Sequence, residues 1–275
     1  MKAMFVLDNQ VKIPSIGFGT APLKGEEAYN AVMLALSAKY LHIDTAQNYQ
    51  NEDMVGKAIK DSNIDREKLF ITSKLDASIK DYDQALNAFH ETLKKLDLDY
   101  LDLYLIHAPW PWDDKFSNHD EGNIEAYKAL MHLYQEGKVK AIGVSNFDVR
   151  DLTNLKEHGF TPHVNQIKFH IGHRQKEIVE YCKKESIQVE AYSPLGRSKV
   201  LNHPILIDMA KRYQVSVAQL CIRYVLQHEI LPLPRSSTKQ HIENNLLVDF
   251  VIKKEDMEVL DDLTIDSIEF GRKKE

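Results

Sequence analysis

The chain has 275 residues, 43% of them hydrophobic and 28% charged, with a formal net charge of −6. That apolar content is enough for a sizeable core and excludes a disordered chain. The mildly acidic balance leaves no basic footprint for nucleic acid. No stretch approaches the roughly 18 apolar residues of a membrane span. The opening MKAMFVLDNQVKIP holds no apolar run long enough for a secretory signal. Cys182 and Cys221, the two cysteines, sit in helix-like text and read as buried free thiols, which fits a reducing compartment. A soluble, cytoplasmic monomer is the expectation.

In chain order, FVLDNQVKIP reads first as a small hairpin with an Asn-Gln turn, placed to plug one end of the fold. Beyond it, short apolar runs alternate with longer amphipathic segments. The strand candidates are 15–19, 40–44, 69–73, 101–107, 139–145, 163–167, 188–192 and 230–233. Several are apolar at successive positions, as in LDLYLI at 101–106, which suits strands buried on both faces. Between them, 26–39 repeats apolar residues at Tyr29, Val32, Met33 and Leu36, a helical spacing. Similar periodicity covers 51–61, 81–96, 123–136, 148–158, 175–186 and 204–227, and Gly137 and Gly159 stand where helices would end. Eight strands alternating with helices imply a parallel sheet, and eight repeats favour closure into a (β/α)₈ TIM barrel. No change in composition or flexible linker divides the chain, so residues 1–275 read as one domain whose charged tail, 271–275, is expected to fray.

Asp44, Tyr49, Lys74 and His107 fall at the ends of successive strand candidates, where a parallel barrel opens its active-site mouth. A carbonyl reduced by hydride needs a proton on its oxygen. A phenol holds its proton tightly, and a neighbouring ammonium lowers its pKa. Lys74 is placed to be that ammonium, Asp44 to keep it charged, and His107 to donate a hydrogen bond that orients the carbonyl. Taken singly, each has a plainer reading: a rim tyrosine, a surface lysine, a turn or cap acid, a loop histidine. Their occurrence together at successive strand ends favours a shared site. Ser145 and Asn146 end a strand with short polar groups suited to an amide ligand, though a loop turn accounts for them equally. Gln166, inside the strand candidate HVNQI, needs a partner when buried, and a structural hydrogen bond would serve. Arg235 offers a fork that matches phosphate, and Ser236, Ser237 and Thr238 precede helix-like text. His163, His170 and His173 show no convergence of the kind a zinc site needs, and no metal is expected.

HIDTAQNYQNEDMVG (42–56), KAIGVSNF (140–147) and LPRSS (233–237) closely resemble the three signatures of the aldo-keto reductases. GFGTAPL (17–23), NQI (165–167) and YSPLGRSK (192–199) match the family in the same order. The resemblance runs from about residue 5 to about residue 265. It implies Tyr49 as general acid, Lys74 as its activator, Asp44 as the partner of Lys74 and His107 as the carbonyl orienter. It also implies NADPH, with NADH as a second possibility, lying across the barrel mouth without a Rossmann domain. Tyr192 then resembles the residue that stacks on the nicotinamide, and Ser145, Asn146 and Gln166 the carboxamide contacts. Ser193 and Leu195 resemble pyrophosphate contacts, and Arg235 and Ser236 the 2′-phosphate site, with Gly19, Thr20, Asp44, His241 and Asn245 completing the cofactor set.

The chain departs from the family pattern at several points. Arg235 stands where Lys is common, and His241 where Arg is common, so one fixed positive charge is missing from the adenosine end. Ala21 and Ala108 occupy positions often filled by Trp, and Trp110 and Trp112 lie just beyond. The expected substrate pocket is Ala21, Tyr49, His107, Ala108 and Trp110. With the short C-terminal loop, this resembles the small bacterial members that reduce varied aldehydes, ketoacids and dicarbonyls. Two other functions compete: a Schiff-base aldolase using Lys168 or Lys74, and a non-catalytic cofactor-binding subunit.

Overall fold

The computed structural model describes residues 4–264; the charged tail at 271–275 lies outside them. The leading hairpin forms β1 (Met4–Val6) and β2 (Lys12–Pro14), antiparallel, with Phe5 opposite Ile13. Its turn falls on Asp8 and Asn9, one residue earlier than the Asn-Gln pair, and Gln10 takes φ 69°. Phe5, Leu7 and Ile13 pack against Phe70, Leu103, Ala141, Val164 and Leu231, so the hairpin closes one end of the barrel with apolar contact.

The remaining elements alternate: β3 (Phe18–Gly19), α1 (Gly25–Ser37), β4 (His42–Asp44), α2 (Glu52–Asp61), β5 (Phe70–Leu75), α3 (Tyr82–Leu96), β6 (Leu101–Ile106), α4 (Asp120–Gln135) and β7 (Val139–Ser145). They continue with α5 (Val149–Glu157), β8 (Val164–Lys168), α6 (Lys176–Lys184), β9 (Gln188–Tyr192), α7 (Pro204–Tyr213), α8 (Val217–Gln227), β10 (Leu231–Leu233), α9 (Lys239–Asn244) and α10 (Lys254–Asp262). Strands β3 to β10 are parallel neighbours in chain order. The two edges meet where the Gly17 and Gly19 N–H groups donate to the Pro232 and Pro234 carbonyls, both at 3.1 Å, which closes a (β/α)₈ barrel. A larger apolar core, including Val32, Ile71, Phe89, Tyr104, Leu130 and Tyr224, lies between the helices and the strands.

Where the elements differ from the sequence reading, local chemistry explains it. The helix expected over 204–227 is two helices. Gln214 takes a left-handed φ of 57°, and Ser216 restarts the chain as a capping box with Gln219, each side chain bonding the other's backbone N–H. The α10 helix was not expected from its text, because among its residues only Leu260 is buried and the apolar repeat is faint. Strand β5 runs two residues past position 73, which places Lys74 inside the strand and fixes its direction by the pleat. Gly137 and Gly159 follow α4 and α5 at φ 70° and 81°, the left-handed geometry that ends a helix cheaply.

Candidate active site

The strand ends carry the four residues to one place. Asp44 is the last residue of β4, Lys74 the second to last of β5, and His107 directly follows β6. Tyr49 closes a single 3₁₀ turn, Gln47–Tyr49. The Gln47 side chain ties that turn down, donating to the Ala88 carbonyl at 2.7 Å and Thr92 Oγ1 at 2.9 Å, and accepting from the Asp76 N–H at 2.8 Å. Lys74 Nζ donates to Asp44 Oδ1 at 2.7 Å, Asp44 Oδ2 at 2.8 Å and the Thr45 carbonyl at 2.9 Å, with Tyr49 Oη at 3.3 Å. The lysine side chain is fully buried. Burial alone would discharge it, but the Asp44 carboxylate and the Tyr49 phenol reverse that effect, and its pKa is raised above the ordinary lysine value. Lys74 is therefore an ammonium.

The phenol is under opposed influences. Burial raises the Tyr49 pKa most, Lys74 pulls it down, and Asp44 pushes it up again. The net direction is upward, which corrects the expectation of a phenol made more acidic overall. The ammonium acts in the expected sense, but the carboxylate that keeps it charged cancels part of its field at the phenol. His107 is buried and neutral. Burial, and then the Lys74 charge, depress its pKa to about 3. Its ring sits edge-on to Tyr49 at 5.5 Å and to Trp112 at 5.4 Å, and its Nδ1 has no partner among the described residues.

A cavity of about 580 Å³ opens over these groups. Ala21, Tyr49, His107 and Trp112 line it beside the Asp44–Lys74 pair. Ser145, Asn146 and Gln166 come next, followed by Tyr192, Ser193 and Leu195 around the rim, with Arg235 at β10 and Gly19 at β3. Asn146 takes the left-handed conformation, φ 62°, which asparagine adopts more readily than most residues. Its Nδ2 donates to the His107 carbonyl at 3.0 Å and to Ser145 Oγ at 3.1 Å, while its Oδ1 accepts from Tyr192 Oη at 2.7 Å. Ser145 Oγ donates to the Gln166 carbonyl at 2.9 Å. Gln166 Nε2 donates to Asp44 Oδ2 at 2.9 Å. A polar ring thus runs from the ion pair to the Tyr192 rim.

Seven expected residues do not line the cavity, Lys74 among them because its side chain is fully buried beneath Asp44 and Tyr49. Ala108 and Trp110 close on Ala77 in a small apolar cluster, where the indole removes more apolar area from water than it would at the rim. The wall falls instead to Trp112, 37% exposed, with Trp110 packed edge-on behind it at 5.3 Å. Thr20 is buried behind the site, its Oγ1 donating to the Asp44 carbonyl at 3.0 Å. Ser236, His241 and Asn245 lie on the turn and helix after Arg235. Ser236 Oγ accepts from the Thr238 N–H at 3.1 Å, His241 is exposed and Asn245 is buried. His170 and His173 exchange backbone hydrogen bonds and stack at 5.5 Å, and among the described residues no group of three His, Cys, Asp or Glu could hold a metal. Sequence reasoning missed Asn48 and Ser198, which line the cavity, and Glu190, fully buried in β9 and bonded to Gln166. The signal for Glu190 was an acid in the middle of QVEAY.

Comparison with known proteins places the chain in a family and agrees with the barrel fold. The family model described as Aldo/keto reductase family matches residues 15–265. A glyoxal reductase of Bacillus subtilis (strain 168) is 43% identical over 270 residues, covering 97% of this chain and 94% of that protein. A glycerol 2-dehydrogenase (NADP(+)) of Saccharomyces cerevisiae is 35% identical over 282 residues, covering 94% of this chain and 89% of its own length. The crystal structure of MGS-M4, an aldo-keto reductase enzyme from a Medee basin deep-sea metagenome library, superposes with a TM-score of 0.91 at 40% identity, covering 98% of each chain.

Proposed function

Since the chain belongs to the aldo/keto reductase family and is an oxidoreductase acting on carbonyl groups, we propose that it reduces small aldehydes, ketones and dicarbonyls with NADPH, Tyr49 giving the proton. The observation that carries this reading is the contact of Tyr49 Oη with Lys74 Nζ at 3.3 Å while Asp44 keeps that ammonium charged. Tyr49 stays protonated near neutral pH, as an acid must before it acts. As negative charge grows on the carbonyl oxygen, the phenol's proton passes to it, and Lys74 stabilises the phenolate left behind. Neutral His107 donates a hydrogen bond that aims the same oxygen.

The residues fit a nicotinamide nucleotide. Gln166 and Asn146 offer amide groups to a carboxamide, and Tyr192 offers a ring face beside them. Ser193 and Leu195 would hold the pyrophosphate, and Arg235 with Ser236 the 2′-phosphate. Gly19 at the β3 edge would complete the floor, with Thr20 behind it on the Asp44 carbonyl, and His241 and Asn245 would complete the adenosine end. When bound, the nucleotide supplies the hydride. The fork of Arg235 and the NADP(+) in the yeast relative's name support NADPH over NADH. His241, in place of a fixed cation, leaves NADH as a second cofactor. The reactive carbonyl named for the Bacillus relative supports dicarbonyls as substrates, as does the small side chain of Ala21 at the cavity wall.

Consumption of NADPH and NADH with a panel of aldehydes, dicarbonyls and ketoacids tests this reading. NADPH is expected to saturate at the lower concentration, and a preference for NADH would overturn the cofactor assignment. Bound cofactor without turnover of any carbonyl would overturn the substrate assignment. We also take residues 1–275 as one domain acting as a cytoplasmic monomer. In support, Cys182 and Cys221 are free and buried, their thiols pushed up by burial to about 11 and about 12. Light scattering and a single cooperative melt are the checks.

A further inference from the structure

Glu190 is a carboxyl group for which carbonyl reduction by Tyr49, Lys74 and His107 has no use. It is fully buried in β9, and the strand register sets it directly beside Gln166 of β8. Its Oε2 accepts from Gln166 Nε2 at 2.8 Å, and the same nitrogen donates to Asp44 Oδ2 at 2.9 Å. Glu190 Oε1 has no partner among the described residues. A primary amide has two N–H donors and one carbonyl acceptor. With a carboxyl oxygen on each N–H, Gln166 has only its carbonyl Oε1 left to give, and Gln166 lines the cavity. Turning the amide over would set that carbonyl oxygen against the Asp44 carboxylate and leave Glu190 Oε2 without its N–H donor.

We propose that Glu190 is a positioning residue: it locks the Gln166 amide so that its carbonyl accepts from the carboxamide N–H of the nicotinamide, and so selects a carboxamide over a ring substituent that has no N–H. This inference rests on the proposed nicotinamide cofactor. Burial, with the Asp44 charge adding to it, pushes the Glu190 carboxyl up to about 8, so near neutral pH it is mostly protonated. It can thus accept from Gln166 without placing a second uncompensated charge beside Asp44. A glutamine at 190 keeps an acceptor oxygen there, whereas a methionine of similar length offers only a weakly accepting thioether sulfur.

The test compares dissociation constants for NADPH and for its 3-acetylpyridine analogue, whose acetyl group has no N–H. Glu190→Met is expected to weaken NADPH binding about tenfold, the scale of one hydrogen bond made well or badly. It should leave the analogue within about twofold, and Glu190→Gln should restore NADPH binding. Equal losses for both nucleotides in Glu190→Met, or no loss for NADPH, would overturn the proposal. If the wild-type chain binds neither nucleotide, the cofactor reading has failed instead. Should Glu190→Met not fold, a crystal structure of the wild type with NADPH decides. Gln166 Oε1 on the carboxamide nitrogen supports the proposal, and Gln166 Oε1 turned toward Glu190 overturns it.

Discussion

Replacing Asp44 by Asn keeps the size of the side chain and removes its charge. Lys74 Nζ loses its carboxylate partner at 2.7 and 2.8 Å and keeps only the Thr45 carbonyl and the Tyr49 hydroxyl. Removing one member of a buried ion pair costs about 3–5 kcal/mol, because the other charge is left uncompensated. For a chain of this size each kcal/mol moves Tm by about 2–4 °C, so a drop on the order of 10 °C is expected. The pH dependence makes the prediction sharper. In the wild type Lys74 is raised above its unfolded value, so its contribution is fully present below that value and is lost as pH rises through the folded pKa. In Asp44→Asn burial acts with no carboxylate to oppose it, and the folded pKa drops below the unfolded value. Between those two values the unfolded chain binds more protons, so the variant gains stability as pH rises. Thermal melts of both proteins between about pH 6 and about pH 10 should therefore show a Tm gap that narrows toward high pH. A gap that stays constant, or one below about 3 °C throughout, would refute the claim that Asp44 holds a buried ammonium.

Two further predictions concern the mouth. His107, depressed to about 3, is neutral across the working range, so kcat/KM should show no imidazole limb between about pH 5 and about pH 8. A limb near the ordinary histidine value that disappears in His107→Gln would contradict this. Arg235→Ala is expected to raise the NADPH dissociation constant at least about tenfold, the scale of a charge-assisted hydrogen bond, and to leave NADH within about twofold. Equal weakening of both would remove Arg235 from the 2′-phosphate.

The barrel was legible because eight apolar runs alternate with amphipathic segments, and a run such as LDLYLI carries its burial on successive residues. The four residues around the ion pair were legible because strand ends are marked in the sequence and the barrel brings parallel ends to one face. Side-chain direction past those ends was not. After β6 the loop leaves the pleat, and nothing in APWPW says that Trp110 turns inward while Trp112 faces the cavity. Glu190 was overlooked because its partners come from β8 and β4, at sequence separations of 24 and, through Gln166, 122. The break at Gln214 was hidden because apolar periodicity continues on both sides of it, and only the Ser216–Gln219 capping box marks the restart.

The role given to Tyr49 is tested most directly by Tyr49→Phe, which removes the acid's oxygen and keeps the ring between Lys74 and His107. NADPH binding should stay within about twofold of wild type while aldehyde turnover falls at least about 10²-fold, the scale of general acid catalysis. Turnover at the wild-type rate would show that the proton comes from elsewhere.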